Sequence, residues 1–270
     1  MQTAVPLLRR MSPWQGVLLL SGAALLLGWL YFTPPGLLGK ADALGYAVCH
    51  RIDSHSFHIG GRALPLCARC SGMFLGALLG LLFQLPAGRA GGWPARKFIV
   101  LLGLGFAAFA ADGLNSFAQM IPFTAGVYAP SNVLRLITGT GMGLGIAALV
   151  YPSINQTLFP DWQDRPALRS WRQMGLLVAL AAGLNLLILT GFAPVLYPLA
   201  VLSGAAVLLV LGLCYTLVWV IVFKREGMFL SFRQAWFPAA AGLTTALLQV
   251  ALIDLGRYWW TGTWGGFPLG

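Results

Sequence analysis

Between Cys49 and Cys70 runs the stretch CHRIDSHSFHIGGRALPLCARC, which holds three of the chain's four cysteines and all three of its histidines. Thiolate sulfur and neutral imidazole are the usual ligands of zinc, and a closed structural site takes four of them in a tetrahedron. Cys49, His50, Cys67 and Cys70 make such a Cys₃His set. Ligands adjacent at 49 and 50 are a less usual spacing, so His58 or His55 is the alternative fourth ligand, or a hydrogen-bonding neighbour of the site. Two other chemistries fit the same residues. A Cys-x-x-Cys at the start of a helix has the form of a thiol–disulfide centre, with Cys49 as a third, resolving thiol. The plainest alternative is a static disulfide between two of the three, with the histidines as interfacial polar groups.

The elements around the stretch must bring its two halves together. Gly36–Val48 has apolar residues at 37, 38, 41, 44 and 48, the pattern of a short amphipathic helix lying at a membrane surface and delivering Cys49-His50. Gly60-Gly61 between two short alternating segments predicts a two-residue hairpin, which Pro65 ends. Cys67 and Cys70 then open a long helix, where the first turn points both sulfurs the same way and the helix N-terminus favours thiolates. Hairpin followed by helix is also the order found in treble-clef zinc sites. Cys214 lies deep in a later apolar run and is expected as a buried packing thiol.

The chain that carries this stretch is 58 % hydrophobic and 9 % charged over 270 residues, against about a quarter charged in a soluble domain. It has too little polar surface to cover its apolar residues in water, so the lipid bilayer is its solvent. The net charge of +10 sits in short loops and implies no nucleic-acid partner. The predicted fold class is an all-α integral membrane protein. Its seven spans run at about Gln15–Thr33, Ala68–Leu85, Phe98–Ile121, Asn132–Tyr151, Met174–Gly191, Tyr197–Phe223 and Ala235–Ile253. Arg9 and Arg10 before the first apolar run mimic a secretory signal, but the run meets Pro34-Pro35 without a small-residue cleavage site and reads as an uncleaved span. Three parts follow: 1–35 with the first span, 36–155 with the Cys/His loop and spans two to four, and 156–270 with spans five to seven.

Loop charges give the expected orientation. One side carries Arg9, Arg10, Arg89, Arg96, Lys97, Arg165, Arg169, Arg172, Lys224, Arg225 and Arg233, and the other Lys40, Arg51, Arg62, Arg69 and Arg257. The bias puts the N-terminus in the cytoplasm and the Cys/His loop outside the cell membrane. Gly72, Gly76 and Gly80 in the second span, with Gly141 and Gly145 in the fourth, predict close helix packing. Tyr258, Trp259, Trp260 and Trp264 predict an interfacial anchor, and Asp254 with Arg257 an interfacial pair.

Ionisable groups inside spans mark function by default. Asp112 shares a helix face with Asn115 and Ser116 in the third span, and Asn132, Arg135 and Thr138 recur at three-residue spacing in the fourth. An Asp112–Arg135 pair is expected, on the membrane side of the Cys/His loop. The combination predicts a polar cleft between spans two, three and four, roofed by that loop and open to a lipid or a quinone. In a metalloenzyme acting on a lipid-soluble substrate, Asp112 would be the base, Arg135 the anion clamp and Asn115 a polar partner. A closed Cys₃His site would instead make the metal structural. A thiol–disulfide or quinone-linked redox protein, and a transporter or structural subunit of a membrane complex, are the alternatives.

Several of these residues also resemble one known family. Cys49-His50, Ser56-Phe57, Pro65-Leu-Cys-Ala-Arg-Cys70, Gly72, Asp112-Gly113, Ser131-Asn132, Arg135 and Thr138-Gly139 are similar to the DUF2085 family of predicted membrane proteins of bacteria and archaea, over roughly residues 41–155. The resemblance implies which residues belong together and a membrane-embedded fold. It implies no reaction.

Overall fold

A computed structural model describes residues 12–121 and 126–266; Arg9 and Arg10 of the orientation argument lie outside them. Eight α-helices are described: α1 Pro13–Phe32, α2 Gly36–Val48, α3 Ala68–Gln84, α4 Arg96–Ala118, α5 Asn132–Leu158, α6 Trp171–Leu189, α7 Ala193–Val222 and α8 Trp236–Thr261. Seven of them, all but α2, are long and apolar enough to cross a membrane. The protein is an all-α polytopic membrane protein. Spans four and seven run several residues beyond their expected ends, through Pro152 in α5 and Arg257 in α8. Local signals set the starts. Ser12 and Gln15 form a capping box at α1, as Ser170 and Gln173 do at α6, and Ser131 caps α5, each supplying an oxygen to an otherwise unbonded backbone N–H.

At the centre α3 and α5 run parallel with their backbones almost touching. A Cβ on Gly72 would stand 2.4 Å from the Leu136 carbonyl oxygen, and one on Gly143 2.1 Å from that of Met73. Only glycine permits this approach, and van der Waals contact of this kind is what holds helices together in lipid. The small-residue stripe of α5 differs from the expected Gly141 and Gly145. Gly139 and Gly143 face α3, Gly141 meets Gly105 of α4, and Gly145 touches nothing nearby. The α-helical period puts 139 and 143 on one face, and Gly141 on another.

The remaining helices flank this pair. Ala41 of α2 sits against Gly204 of α7, and Gly242 of α8 against Gly212 and Thr216 of α7. α6 joins α5 through Thr140 Oγ1, which donates to Asn185 Oδ1 at 2.7 Å. α1 leans on α8 at Gly22–Thr244 and Trp29–Asp254, meets α2 near its end where Lys40 donates to the Leu30 carbonyl and Trp29 packs with Ala43 and Leu44, and leaves most of its surface to lipid. Two corrections follow. α2 has the expected bounds but is packed inside, because Gly39, Ala41, Ala43 and Gly45 present almost no bulk to α7, α8 and the Pro65 carbonyl. Cys214 lies on the exposed, lipid-facing side of α7 rather than in its packed face.

Short strands tie the loops at each end. β1 His58–Ile59 pairs antiparallel with β2 Arg62–Ala63 around Gly60-Gly61, both at positive φ (55° and 82°) as the hairpin turn requires. At the opposite end β3 Ala90–Gly92 runs parallel to β4 Gln163–Pro166, a pairing with no signal in the apolar pattern.

Candidate metal centre

The three sulfurs of Cys49, Cys67 and Cys70 lie within 4.8 Å of one another, at the end of the bundle that also holds the α5 N-terminus. Cys49 leaves the C-terminus of α2 in extended conformation, and Cys67 caps α3 one turn before Cys70. The hairpin β1–β2 returns the chain so that these two ends meet. All four cysteines are free thiols.

The backbone around Cys49 is shaped toward its sulfur. Cys67 N–H donates to Cys49 Sγ at 3.3 Å, and Arg51 N–H at 3.4 Å. The second contact uses Arg51 at φ 52°, a left-handed conformation that costs a non-glycine residue roughly 1–2 kcal/mol. Arg51 is held there by Asp42 Oδ1 at 2.9 Å and by the Trp264 carbonyl at 3.0 Å. Hydrogen bonds from the neighbouring thiols, Cys67 first, hold the Cys49 thiol well below its ordinary pKa against the opposing effect of burial. The same bond, seen from Cys67, pushes that thiol up to about 12. Of the three sulfurs, Cys49 is the one toward which the neighbouring thiols and two backbone amides direct their hydrogen bonds.

The histidines stand apart. His50 Nδ1 accepts the Ile52 N–H at 3.0 Å, which fixes its tautomer and ring orientation. The His50 and His55 rings meet edge to face at 5.4 Å. Burial lowers the pKa of both, His55 to about 4, so both imidazoles are neutral near neutral pH. His58 turns to the surface and pairs with Asp53 at 3.0 Å. Among the described residues, no histidine or carboxylate ligand atom joins the three sulfurs.

Beside the sulfurs lies the polar network of α4 and α5, with different partners from those expected. Asp112 is 1 % exposed and pairs with Arg69, the residue inside the Cys-x-x-Cys, not with Arg135. Arg69 Nε reaches Asp112 Oδ2 at 3.1 Å, while Nη2 also bonds that oxygen, the Asp112 carbonyl at 3.0 Å and Ser116 Oγ at 2.9 Å. Tyr128 OH donates to Asp112 Oδ1 at 3.0 Å. Asn115 takes the Val127 N–H at 2.7 Å and donates to the Tyr128 carbonyl at 2.9 Å, pinning the α4–α5 loop so that Tyr128 covers Asp112. Arg135 is 5 % exposed; it bonds Asn132 Oδ1 at 2.9 Å and its Nε has no hydrogen-bond partner. Asn132 in turn reaches back to the Ser54 carbonyl at 3.1 Å. The sulfurs, Asp112 and Arg135 therefore share one end of the bundle.

Arg69, Tyr128 and Arg257 were not legible as site residues. Arg257 reaches from α8 across the roof, donating to the carbonyls of Tyr46 (2.6 Å), Cys49 (2.7 Å) and His50 (3.2 Å), with its guanidinium 4.0 Å from the Tyr46 ring centre. Asp254, expected as its interfacial partner, accepts the Trp29 indole N–H at 3.0 Å. A cation on the last carbonyls of α2 complements the helix dipole, and no sequence spacing links positions 46 and 257.

Two archaeal proteins described as uncharacterised are similar to this chain. One, from Methanothermobacter thermautotrophicus, is 32 % identical over 104 residues, 38 % of this chain and 83 % of the relative. The other, from Methanocaldococcus jannaschii, is 26 % identical over 126 residues, 43 % of this chain and 69 % of the relative. No solved structure matches significantly. The family model described as "Predicted membrane protein (DUF2085)" matches residues 49–149, from the first sulfur of the triad through most of α5. With the extent of the Methanothermobacter match, this means that the chain belongs to the DUF2085 family.

Proposed function

We propose that the protein is a membrane metalloprotein in which Cys49, Cys67 and Cys70 hold zinc and leave a fourth position for a lipid-soluble substrate, a lipid or a quinone. The observation that carries this reading is the approach of three sulfurs within 4.8 Å, with two backbone amides aimed at one of them. Three protein ligands with an open fourth place are the pattern of catalytic rather than structural zinc.

Charge supports the same reading. Three thiolates around a divalent cation carry a net −1. Arg69 and Arg135 face one buried carboxylate, Asp112, which leaves +1 to be balanced. The anionic metal centre offsets part of the arginine excess, to which Arg257 at the Cys49 carbonyl also adds. Bound zinc would supply Lewis acidity; the chain's own groups do the rest. Arg135 orients an anionic or carbonyl group through its unpaired Nε. Asp112, with both oxygens engaged, holds Arg69 and Tyr128, and Asn115 holds the loop over them. The loop-charge bias supports an extracytoplasmic site.

Metal analysis of the purified full-length protein, with X-ray absorption of the bound ion, tests the proposal. About one metal per chain in a three-sulfur environment is expected, lost in Cys49→Ser and Cys70→Ser and kept in His50→Ala. Absence of stoichiometric metal sinks it. The depressed Cys49 thiol favours a second, thiol–disulfide reading, which predicts instead a reversible loss of titratable thiols on mild oxidation.

A further inference from the structure

At the end of the bundle opposite the sulfurs, α1 parts from its neighbours. Its contacts with α8 are at Gly22–Thr244 and Trp29–Asp254. Its first two turns stand off from the end of α7 and the start of α8, and enclose a wedge of about 880 Å³. That volume falls inside the roughly 300–1,000 Å³ of small-molecule sites. Trp14, Leu18, Trp219, Phe223 and Trp236 give it mainly apolar walls, and one charged side chain, Arg225, lines it.

The placement of Arg225 is built into the end of α7. Lys224 N–H bonds the Ile221 carbonyl and Arg225 N–H the Val220 carbonyl, both at 2.9 Å, with Lys224 at φ 52°. This is a Schellman turn, whose left-handed position glycine usually fills without strain. Here lysine fills it, and two cations stand together at the helix end. Among the described residues, the Arg225 side chain has no hydrogen-bond or ion-pair partner. Arg233 follows in the same loop, and Trp14 and Trp236 sit at the wedge mouth as tryptophan does at headgroup level.

We propose that this wedge binds an anionic phospholipid of the adjoining leaflet, with an acyl chain between α1 and α7 and its phosphate on Arg225. Charge complementarity selects the headgroup. The lateral opening beside the exposed Trp14, Val17 and Leu20 admits the chain from the bilayer. The site is separate from the sulfur cluster and does not depend on what that cluster holds.

Native mass spectrometry of the full-length protein in mild detergent, titrated with phosphatidylglycerol or phosphatidylcholine of matched chains, reads the occupant directly. Wild type is expected to retain one phosphatidylglycerol at least about fivefold more than phosphatidylcholine. Arg225→Gln should remove that preference, and Val17→Trp, which fills the wedge from an exposed position, should lower retention of both lipids. Equal retention of the two headgroups by wild type, an unchanged preference in Arg225→Gln, or a lipid-free dimer closed over the wedge would each overturn the proposal.

Discussion

Arg69 donates to Asp112 across the α3–α4 interface, Nε to Oδ2 at 3.1 Å, and so ties the Cys67-x-x-Cys70 turn to a carboxylate inside the membrane. The pair is 15 % and 1 % exposed at its side chains. Removing one partner leaves the other charge buried, which costs about 3–5 kcal/mol. Asp112→Ala and Arg69→Ala should each lower thermal stability in detergent by that order. The double replacement Arg69→Met with Asp112→Leu should recover much of the loss. A double-mutant cycle on melting curves checks this, and additive losses would contradict it.

The backbone contact of α3 and α5 gives a second expectation. A Cβ at Gly139 would stand 2.1 Å from the Arg69 carbonyl oxygen, whereas Gly145 has open space. Gly139→Ala and Gly143→Ala should destabilise by about 1–3 kcal/mol, the usual cost of overpacking. Gly145→Ala should be neutral or slightly stabilising, since it trades glycine for the better helix former. Melting temperatures of the three variants decide it.

Arg135 is the charge that the proposed cation centre has to balance. Arg135→Leu should weaken metal retention by roughly 10-fold to 100-fold, the range found when an outer-shell partner of a metal site is lost. Arg135→Lys should retain much of the affinity. Competition with a chromophoric chelator measures both. Equal affinity in all three proteins would remove Arg135 from the site.

Acid should release the metal. Cys49, Cys67 and Cys70 must all be deprotonated to bind, and the Cys67 thiol alone stands at about 12 without a cation. The cation must therefore displace protons, and its apparent affinity should rise with pH and fall on acidification. Metal content after dialysis at a series of pH values, with a weak chelator present, should decline as protons compete for the sulfurs.

Arg257 offers a test of the roof. Arg257→Gln removes charged donors from three carbonyls, each worth about 1.5–3 kcal/mol when a charged group is involved. Hydrogen exchange should accelerate across residues 46–52, with α3 and α5 unaffected. Uniform acceleration would mean that Arg257 supports the whole bundle instead.

Much of this arrangement can be read from residue order. Apolar runs locate the spans because lipid demands length and composition, and Gly60-Gly61 locates the hairpin because only glycine takes two successive left-handed positions cheaply. Cys67-x-x-Cys70 before Ser71-Gly72 marks the helix start where two sulfurs meet. Partner choice was less legible. Asp112 and Arg135 lie on consecutive spans, which invites pairing them, but the close seating of α3 against α5 brings Arg69 to Asp112 first. The apolar stripe of α2 suggested a surface helix because the pattern counts large residues, while its docking depends on small ones. His50 is beside Cys49 in the chain, yet its ring is committed to the Ile52 amide.

The latch of Arg257, Thr261 and Trp264 over α2 has a consequence for the order in which the molecule is made. Tyr46 OH meets Thr261 Oγ1 at 2.8 Å and the Thr263 carbonyl at 2.7 Å, and Trp264 closes on Arg51. Synthesis runs from the N-terminus, so the three thiols emerge with the second span, and the segment that covers them emerges only after the seventh. During biogenesis the sulfur cluster stays open to its surroundings until the seventh span enters the bilayer.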